Sequence, residues 1–479
     1  MVSQKNIEAM NLIIMRTELK QLYRNKWLLV LSSLILALFV YAGWNGKKRT
    51  EQRDQSIKLA INEMKQQDKL LLARLDSLKK GYKLDLPSWQ YPTQPTATGN
   101  YNPRIAAFPS ANLSFIAIGQ SDIFTHYVKP TINDDAISLS FTELSSPVRL
   151  LFGNFDLSFV LIYLLPLIVI AFCYNILSIE KESGSFRVVA ANPVRIHQWL
   201  LQKTILRFLV MALIIMAGLT LSLITNGASL NYTAFKFYLA VMLYALFWFG
   251  LCFIVNLFGY SSEKNAVTLL GLWILLVLMV PSVINQLSAS IYPMPSRTIL
   301  INEVRKAQAA ADKAQDKILD EFLRDHPEIV VSREAEEGTA YRWWQRYFAS
   351  KEVVEKQMMP LLKKFDQKLV QQQHLERRLR FLSPSVMMQD VLNELAKTST
   401  DHYRAYRQCV SRFTKKWKDF FIPMVYAEKE FTKEMVNKWP QFTFNESKIA
   451  SRFIYNIAGL FLFSLIIVLI GFIMNLFKF

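Results

Sequence analysis

Long stretches without any charged residue alternate along this chain with stretches dense in Lys, Arg, Asp and Glu. A helix needs about 20 mainly apolar residues to cross a bilayer. Six stretches meet or approach that length and predict six transmembrane helices, TM1 to TM6: Leu28–Trp44, Leu157–Ile179, Phe208–Thr225, Phe237–Tyr260, Ala266–Tyr292 and Phe453–Leu476. The pattern therefore predicts a mainly α-helical, polytopic membrane protein with both termini on the same side.

Basic residues in the short flanks predict the orientation, because cytoplasmic flanks carry the excess of Lys and Arg. They cluster before TM1, between TM2 and TM3, and in the tail: Arg16, Lys20, Arg24 and Lys26; Lys181, Arg187, Arg195 and Lys203; and Lys478. The loop between TM3 and TM4 carries only Lys236 and is expected outside. We expect a bacterial inner membrane, with the large domains facing the periplasm.

The spans divide the chain into aqueous and membrane segments. The predicted order is a cytoplasmic interfacial helix (1–26), TM1 (27–44), a first extracytoplasmic domain (45–156), TM2 to TM5 (157–292), a second extracytoplasmic helical domain (293–451), and TM6 with a short cytoplasmic tail (452–479).

The first external part opens as a helix that continues out of the membrane. Its apolar stripe has heptad spacing, is broken only by Asp68, and can end at Gly81: Ile57, Ile61, Met64, Leu71, Leu75 and Leu78. Both a coiled coil and packing on the helix's own domain fit this stripe. The proline-rich stretch 87–109 is expected to be extended or turned, and Leu113–Ile118 looks like a strand.

The second external part is charged and favours helix. Segments 297–324 and 341–379 place apolar residues at helical spacing, which predicts a stalk or hairpin of long helices. Trp343 and Trp344 suit either an interface or core packing.

The net charge of +18 brings a nucleic-acid partner to mind, but basic anchors at membrane helix ends account for it. Gly43, Gly46 and Lys47 lack the spacing of a phosphate-binding loop. The three cysteines predict no disulfide framework, and the five scattered histidines indicate no metal site. We expect no nucleic-acid binding and no enzymatic activity in the chain by itself.

The spans carry almost no ionisable residues at hydrocarbon depth, which argues against ion-coupled transport. Energy for any transport should then come from a partner. Asn175 and Asn256 can line a pathway or hydrogen-bond between helices. Pro166 and Pro281 should kink TM2 and TM5, as hinges or as static bends.

The segment after TM2, residues 178–193, is charged, then small, then apolar, and ends at a proline. Its charges, at Glu180, Lys181 and Glu182, can meet a docked protein. Its apolar side chains, at Phe186, Val188 and Val189, can fill a groove. An ordinary membrane-surface loop is the alternative.

The run Glu180–Ser185, followed by Asn192 and Pro193, resembles the coupling segment of ABC-2 type permeases, where an acidic pair precedes Gly-Thr and a proline follows. Ser185 stands where Thr is usual. Further motifs are similar, in order, to the DUF3526 branch of that family: Ile118–Asp122, Phe155–Val160, Tyr163–Pro166, Asp325–Pro327 and Phe381–Val386.

This resemblance implies an interfacial helix at Ile7–Lys26, two permease copies (identical or sister chains) forming one pathway, and a separate ABC ATPase dimer that binds ATP and Mg²⁺. It implies that the ATPase docks on the segment 178–193, with a minor contact at residues 259–266. The residues it assigns to coupling are Glu180, Lys181, Glu182, Gly184, Ser185, Phe186, Arg187 and Pro193.

The expected function is that of a permease subunit of an ATP-driven exporter for an amphipathic substrate such as a lipid or peptide. One alternative is an ABC-type mechanotransmission or envelope-assembly component, which acts on an extracytoplasmic partner without flux. A sensor or scaffold without an ATPase is another.

Overall fold

The computed structural model describes residues 15–24, 26–118, 125–134, 155–187, 191, 196–294, 296–325, 340–444 and 451–478. These residues are mostly helical. The helices are α1 Lys26–Lys79, α2 Pro95–Tyr101, α3 Leu157–Cys173, α4 Ser178–Glu182, α5 Ile196–Thr225, α6 Tyr232–Leu257, α7 Ser262–Ile291, α8 Arg297–Lys313, α9 Gln315–Asp325, α10 Ala340–Leu379, α11 Pro384–Leu395, α12 Thr400–Tyr426 and α13 Phe453–Lys478. Residues 15–24 are helical too.

Six helical segments in the described residues are long and apolar enough to cross a membrane. They coincide with the predicted spans: TM1 is the first part of α1, TM2 is α3, and TM3, TM4, TM5 and TM6 are α5, α6, α7 and α13. The prediction of six apolar membrane-length helices is therefore confirmed. We call the end of the bundle where α1 continues toward the large external parts the domain end, and the opposite end the loop end.

Helix α1 continues past TM1 without a break, as the stripe predicts. It is 54 residues long, or about 80 Å at 1.5 Å per residue. Gly81, at φ +85°, ends it, and the Tyr82 amide donates to the Ser77 carbonyl (3.1 Å) in a glycine-capped helix end. The stripe faces the helix's own domain, where Leu71 and Leu75 are buried. The packed alternative therefore describes this helix, and a coiled coil does not.

The two segments predicted to be extracytoplasmic, 45–156 and 293–451, contribute described residues to one hydrophobic core. Leu71 and Leu75 of α1 pack in one cluster with Trp417 and Tyr406 of α12. The Trp417 indole donates to the Gly99 carbonyl (2.9 Å), so it joins the two parts through a buried hydrogen bond. Burying one side chain of this size contributes roughly 1.5–3 kcal/mol, and the cluster holds many.

The described part of residues 95–128 forms short turns, one short helix and a two-residue ladder. Leu113–Ile118 is not a strand: Ser114–Ile116 is a 3₁₀ turn, buried against the membrane core. The Ser114 hydroxyl accepts from the Ala111 amide (2.7 Å), which favours a turn over an extended chain. Pro95 opens helix α2 within the stretch predicted as extended or turned, because a proline suits the first helical position. A two-residue antiparallel ladder pairs Ala106–Ala107 (β1) with Tyr127–Val128 (β2).

Trp343 and Trp344 differ in exposure, although the sequence allowed either an interface or a core-packing role for both. Trp343 is 55% exposed and stacks on Tyr347, whose ring centroid lies 5.4 Å away. Trp344 packs against the external core, stacked on Phe348 at 5.7 Å. Trp344 is therefore a packing residue, and the ring of Trp343 remains largely accessible.

Helix α11 belongs to the membrane bundle, although the sequence placed it in the second external part. Its apolar side chains Met387, Met388, Val391 and Leu392 are fully buried in the core that also holds TM2 and TM4. Gly459 of TM6 lies so close that a Cβ there would meet the Met387 sulfur at 2.7 Å. The chain thus enters the bundle from the domain end at the 3₁₀ turn Arg380–Leu382, reverses, and returns along α11.

Candidate functional site

At the loop end, helix α4 and the corner between TM4 and TM5 form one surface. Glu182 accepts hydrogen bonds from the Ser262 amide (2.8 Å) and hydroxyl (3.0 Å), which places its carboxylate at the N-terminus of TM5. A negative charge is stabilised there by the helix dipole. Lys181 donates to the Gly259 carbonyl (3.2 Å). The segment after TM2 is therefore fastened directly to the start of TM5.

Gly184 supplies the sharp turn after α4. Its φ is +78°, a left-handed conformation that other residues adopt only with strain. Ser183, Gly184 and Arg187 are exposed around this turn, and Phe186 is half-buried against the membrane core. Pro193, Val188 and Val189 lie outside the described residues, as do Ile7, Met10 and Ile14 of the lead.

Glu180 points away from the exposed turn and into a buried charge network. Its carboxylate accepts from Lys203 of TM3 at 2.8 Å, and Lys203 also pairs with Glu18 at 2.9 Å. Glu18 is 1% exposed and receives a second bond, from Arg207 at 2.8 Å. The network links the N-terminal helix at 15–24, TM3 and α4, so Glu180 positions α4 and is not the freely exposed charge that the sequence suggested.

Ser185 hydrogen-bonds the Glu180 carboxylate through its hydroxyl. A threonine at this position would carry the same hydroxyl and could make the same contact.

The proline in TM2 frees a carbonyl that another span satisfies. A π-helical turn, Val160–Leu164, precedes Pro166, and a proline has no N–H to donate to the preceding turn. The Ile162 carbonyl, within that turn, accepts from the fully buried Tyr244 hydroxyl of TM4 at 3.0 Å. The break in TM2 is thus closed within the bundle.

The other predicted pathway residues hold the end of TM2. Asn256 is fully buried and donates to the Cys173 carbonyl (2.9 Å), while its side-chain oxygen accepts from the Leu177 amide (3.2 Å). It satisfies the backbone where TM2 stops and α4 has not begun. Asn175 is half-buried in that same connection. Helix-to-helix hydrogen bonding is the role that the structure gives Asn256.

The proline in TM5 frees a carbonyl that the re-entrant turn satisfies. TM5 has a π-helical turn, Ile274–Met279, immediately before Pro281. Because π-helical bonds reach five residues back, Pro281 leaves the Leu276 carbonyl without a donor. The hydroxyls of Ser383 and Ser385 donate to it at 2.6 and 3.1 Å. The external part is therefore attached to the break in TM5.

A cavity of about 320 Å³ lies beside this attachment, between TM5, the end of α10, α11, the start of α12 and TM6. Three arginines line it: Arg377, Arg380 and Arg452. Four carboxylates line it as well: Glu376, Asp390, Glu394 and Asp401. Asp390 lies 3.9 Å from Arg380. The cavity holds both signs of charge at the domain end of the bundle.

Sequence reasoning missed the charge network and the cavity. Glu18 is the one carboxylate in a lead otherwise basic in its described part, and Lys203 and Arg207 are one helical turn apart. That combination was the available signal for the network. The cavity residues come from three separate stretches, and only the fold brings them together.

The family comparison covers the helices that build this attachment. A domain of unknown function, DUF3526, matches residues 297–445. We call these residues the DUF3526 segment. It includes α8 to α12, and therefore the turn at Ser383 and most of the cavity lining. No curated protein and no solved structure matches the chain.

Proposed function

We propose that this chain is the permease subunit of an ATP-driven exporter of the ABC-2 type. A separate ATPase dimer would bind ATP and Mg²⁺ and dock at the loop end, which would face the cytoplasm. A second permease copy would complete the pathway for an amphipathic substrate. The DUF3526 segment would then face the periplasm.

The joint between α4 and TM5 carries this proposal. A partner pressing on the exposed turn around Gly184 would move TM5 directly, because Lys181 and Glu182 bind the corner Gly259–Ser262. The buried Glu180 network would keep α4 from yielding alone. Coupling of this kind needs a partner that binds two conformations with different affinity, which nucleotide-driven closure of an ATPase dimer would supply.

TM5 is the span best placed to meet the second copy. Only 17% of the most apolar 18-residue stretch of TM5 is buried within the chain, whereas 67% of the corresponding stretch of TM2 is buried. Exposed side chains along it include Val267, Ile274 and Val283. Burying such a surface against a second TM5 would let the two copies separate or close as the hinge at Pro281 moves.

The docking test uses the exposed Arg187, because Glu180→Lys would disrupt the buried network and confuse docking with folding. Tagged protein is purified from native membranes, and its ATPase activity is measured. We expect an ATPase to co-purify with the unchanged chain and to fall below about a tenth with Arg187→Glu. Lys69→Glu, at an exposed site on α1, is the matched charge reversal. Full retention of the ATPase by Arg187→Glu would show that the docking assignment is wrong.

Mechanotransmission without flux is the second candidate, and the Ser383 and Ser385 bonds to the Leu276 carbonyl favour it. Through them, motion of TM5 would reach the DUF3526 segment and any extracytoplasmic partner. Reconstituted vesicles separate the two candidates. ATP-dependent substrate accumulation supports export, and ATP-dependent motion of the external domain without accumulation supports force transfer.

A further inference from the structure

The cavity at the domain end contains buried polar atoms without partners of their own. The Arg380 guanidinium is nine-tenths buried, and its Nε–H donates to no protein atom. Asn456 of TM6 is 1% exposed, and its side-chain oxygen accepts no hydrogen bond. Buried polar groups are normally satisfied, and a buried group left without a partner is destabilising. A ligand that fits must therefore offer an acceptor to Arg380 and a donor to Asn456.

The charges around these orphans are mixed. Asp401 already pairs with three arginines, Arg377 at 2.5 Å, Arg452 at 3.2 Å and Arg404 at 3.6 Å. Glu394 accepts from the Ser451 hydroxyl and the Arg452 amide. Arg380 and Asp390 remain loosely paired at 3.9 Å. Arg380 and Asp390 are thus the loosest of these ion pairs, a cation and a carboxylate side by side.

The depth of the cavity suits an amphiphile. Arg452 stands directly before TM6, where a helix enters the bilayer, and Asn456 lies one turn further in. Pro281 and Ile284 supply an apolar wall from TM5. Apolar side chains remain exposed on both spans nearby, including Ile454 at 76% and Val283 at 52%. A polar headgroup can occupy the cavity while its chains lie along these surfaces.

We propose that this cavity binds the headgroup of a zwitterionic phospholipid whose amine carries N–H groups, as in phosphoethanolamine. The phosphate oxygens accept from Arg380, since a guanidinium suits phosphate. The ammonium donates to Asn456 and neutralises Asp390. A choline headgroup has no N–H for Asn456, and a phosphoglycerol headgroup has no cation for Asp390. The proposal does not depend on an ATPase, so its failure would leave the proposed function standing.

Lipid binding is measured on the delipidated full-length protein by native mass spectrometry, with dioleoyl phosphatidylethanolamine, phosphatidylcholine and phosphatidylglycerol as probes. We expect phosphatidylethanolamine to bind most tightly. Arg380→Gln should weaken it at least about tenfold, because a charge-assisted hydrogen bond is lost. Arg346→Gln is the matched control, since Arg346 pairs with Asp316 (2.6 Å) at the other end of α10.

Asn456→Ala is a second variant, which keeps the test decisive if Arg380→Gln fails to fold. The side-chain oxygen that it removes has no protein partner. This variant should weaken phosphatidylethanolamine and leave phosphatidylcholine unchanged. Equal binding of the three lipids, or unchanged phosphatidylethanolamine binding in both variants, would overturn the proposal. Full competition by soluble glycerophosphoethanolamine would overturn the lipid assignment, because the headgroup alone would then suffice.

Discussion

TM2 and TM5 have the same local defect and different surroundings. Each contains a π-helical turn followed by a proline, and in each a hydroxyl from elsewhere satisfies a carbonyl near the break. In TM2 the donor is Tyr244 of a neighbouring span. In TM5 the donors are Ser383 and Ser385 of the DUF3526 segment. The same proline chemistry therefore fixes one span inside the bundle and ties the other to the external domain.

The two spans also differ in how much of their surface is buried within the chain. TM2 is the most enclosed of the six and is anchored at its loop end by the Glu180 network, whereas TM5 is the least enclosed. Interfaces and packed cores switch between discrete arrangements, and a weakly enclosed helix has more freedom to do so. We therefore expect TM2 to stay fixed and TM5 to move.

The largest expected effect comes from the anchor of TM2. Lys203→Met removes the cation shared by the buried Glu18 and the partly buried Glu180, and breaking a buried pair costs about 3–5 kcal/mol. The free energy of unfolding, measured in mixed detergent micelles, should fall by that amount. Lys264→Met, an exposed change at the same end, should alter it by less than about 0.5 kcal/mol. Equal small effects would mean that the network does not hold TM2.

The break in TM2 comes next. Tyr244→Phe leaves the Ile162 carbonyl buried without its donor, which should cost about 1–3 kcal/mol in the same unfolding measurement. Tyr238→Phe on the same helix is the control, because its hydroxyl pairs with Thr220, which also bonds the Met216 carbonyl. A cost at Tyr244 no larger than at Tyr238 would remove the argument that the bundle closes this break.

Removing the hydroxyls that bond the TM5 carbonyl should change the free energy of unfolding least. It should change local amide exchange most clearly. Ser383→Ala alone leaves Ser385 to donate, so we expect under about 0.5 kcal/mol; the double variant with Ser385→Ala should cost about 1 kcal/mol. Amide exchange should rise in α11 and around Pro281. Ser32→Ala, which removes a bond to its own helix, is the control. Faster exchange in TM2 than in TM5 would reverse the comparison.

The sequence predicts much of the membrane bundle, because twenty apolar residues leave few alternatives to a span. The outward continuation of α1, its stripe and its end at Gly81 also follow from local periodicity and backbone freedom. Helix α11 does not follow. Its apolar face, around Met387 and Val391, is too short for a span, and burial in an external domain would produce the same pattern.

In the candidate site too, local motifs are predictable from the sequence and their distant partners are not. The segment after TM2 and both prolines are visible in the sequence, since local motifs carry them. Their partners are not visible, because Lys203, Tyr244 and Ser383 are far from them along the chain. The reversal of expectation at Glu180 has the same cause: a charge beside an exposed turn looks free until the fold supplies its cation.

The most direct test is the distance, at the domain end, between the two permease copies that the proposed function requires. It is measured by pulsed electron paramagnetic resonance on Lys313→Cys carrying a spin label, with Cys409→Ser removing the accessible native thiol. Trapping the complex with ATP should change this distance in the otherwise unchanged permease. The change should disappear in the Ser383→Ala/Ser385→Ala variant, where TM5 is detached from the DUF3526 segment. A distance that ignores nucleotide, or that responds equally in both proteins, would contradict the claim that TM5 carries motion from the loop end to the external domain.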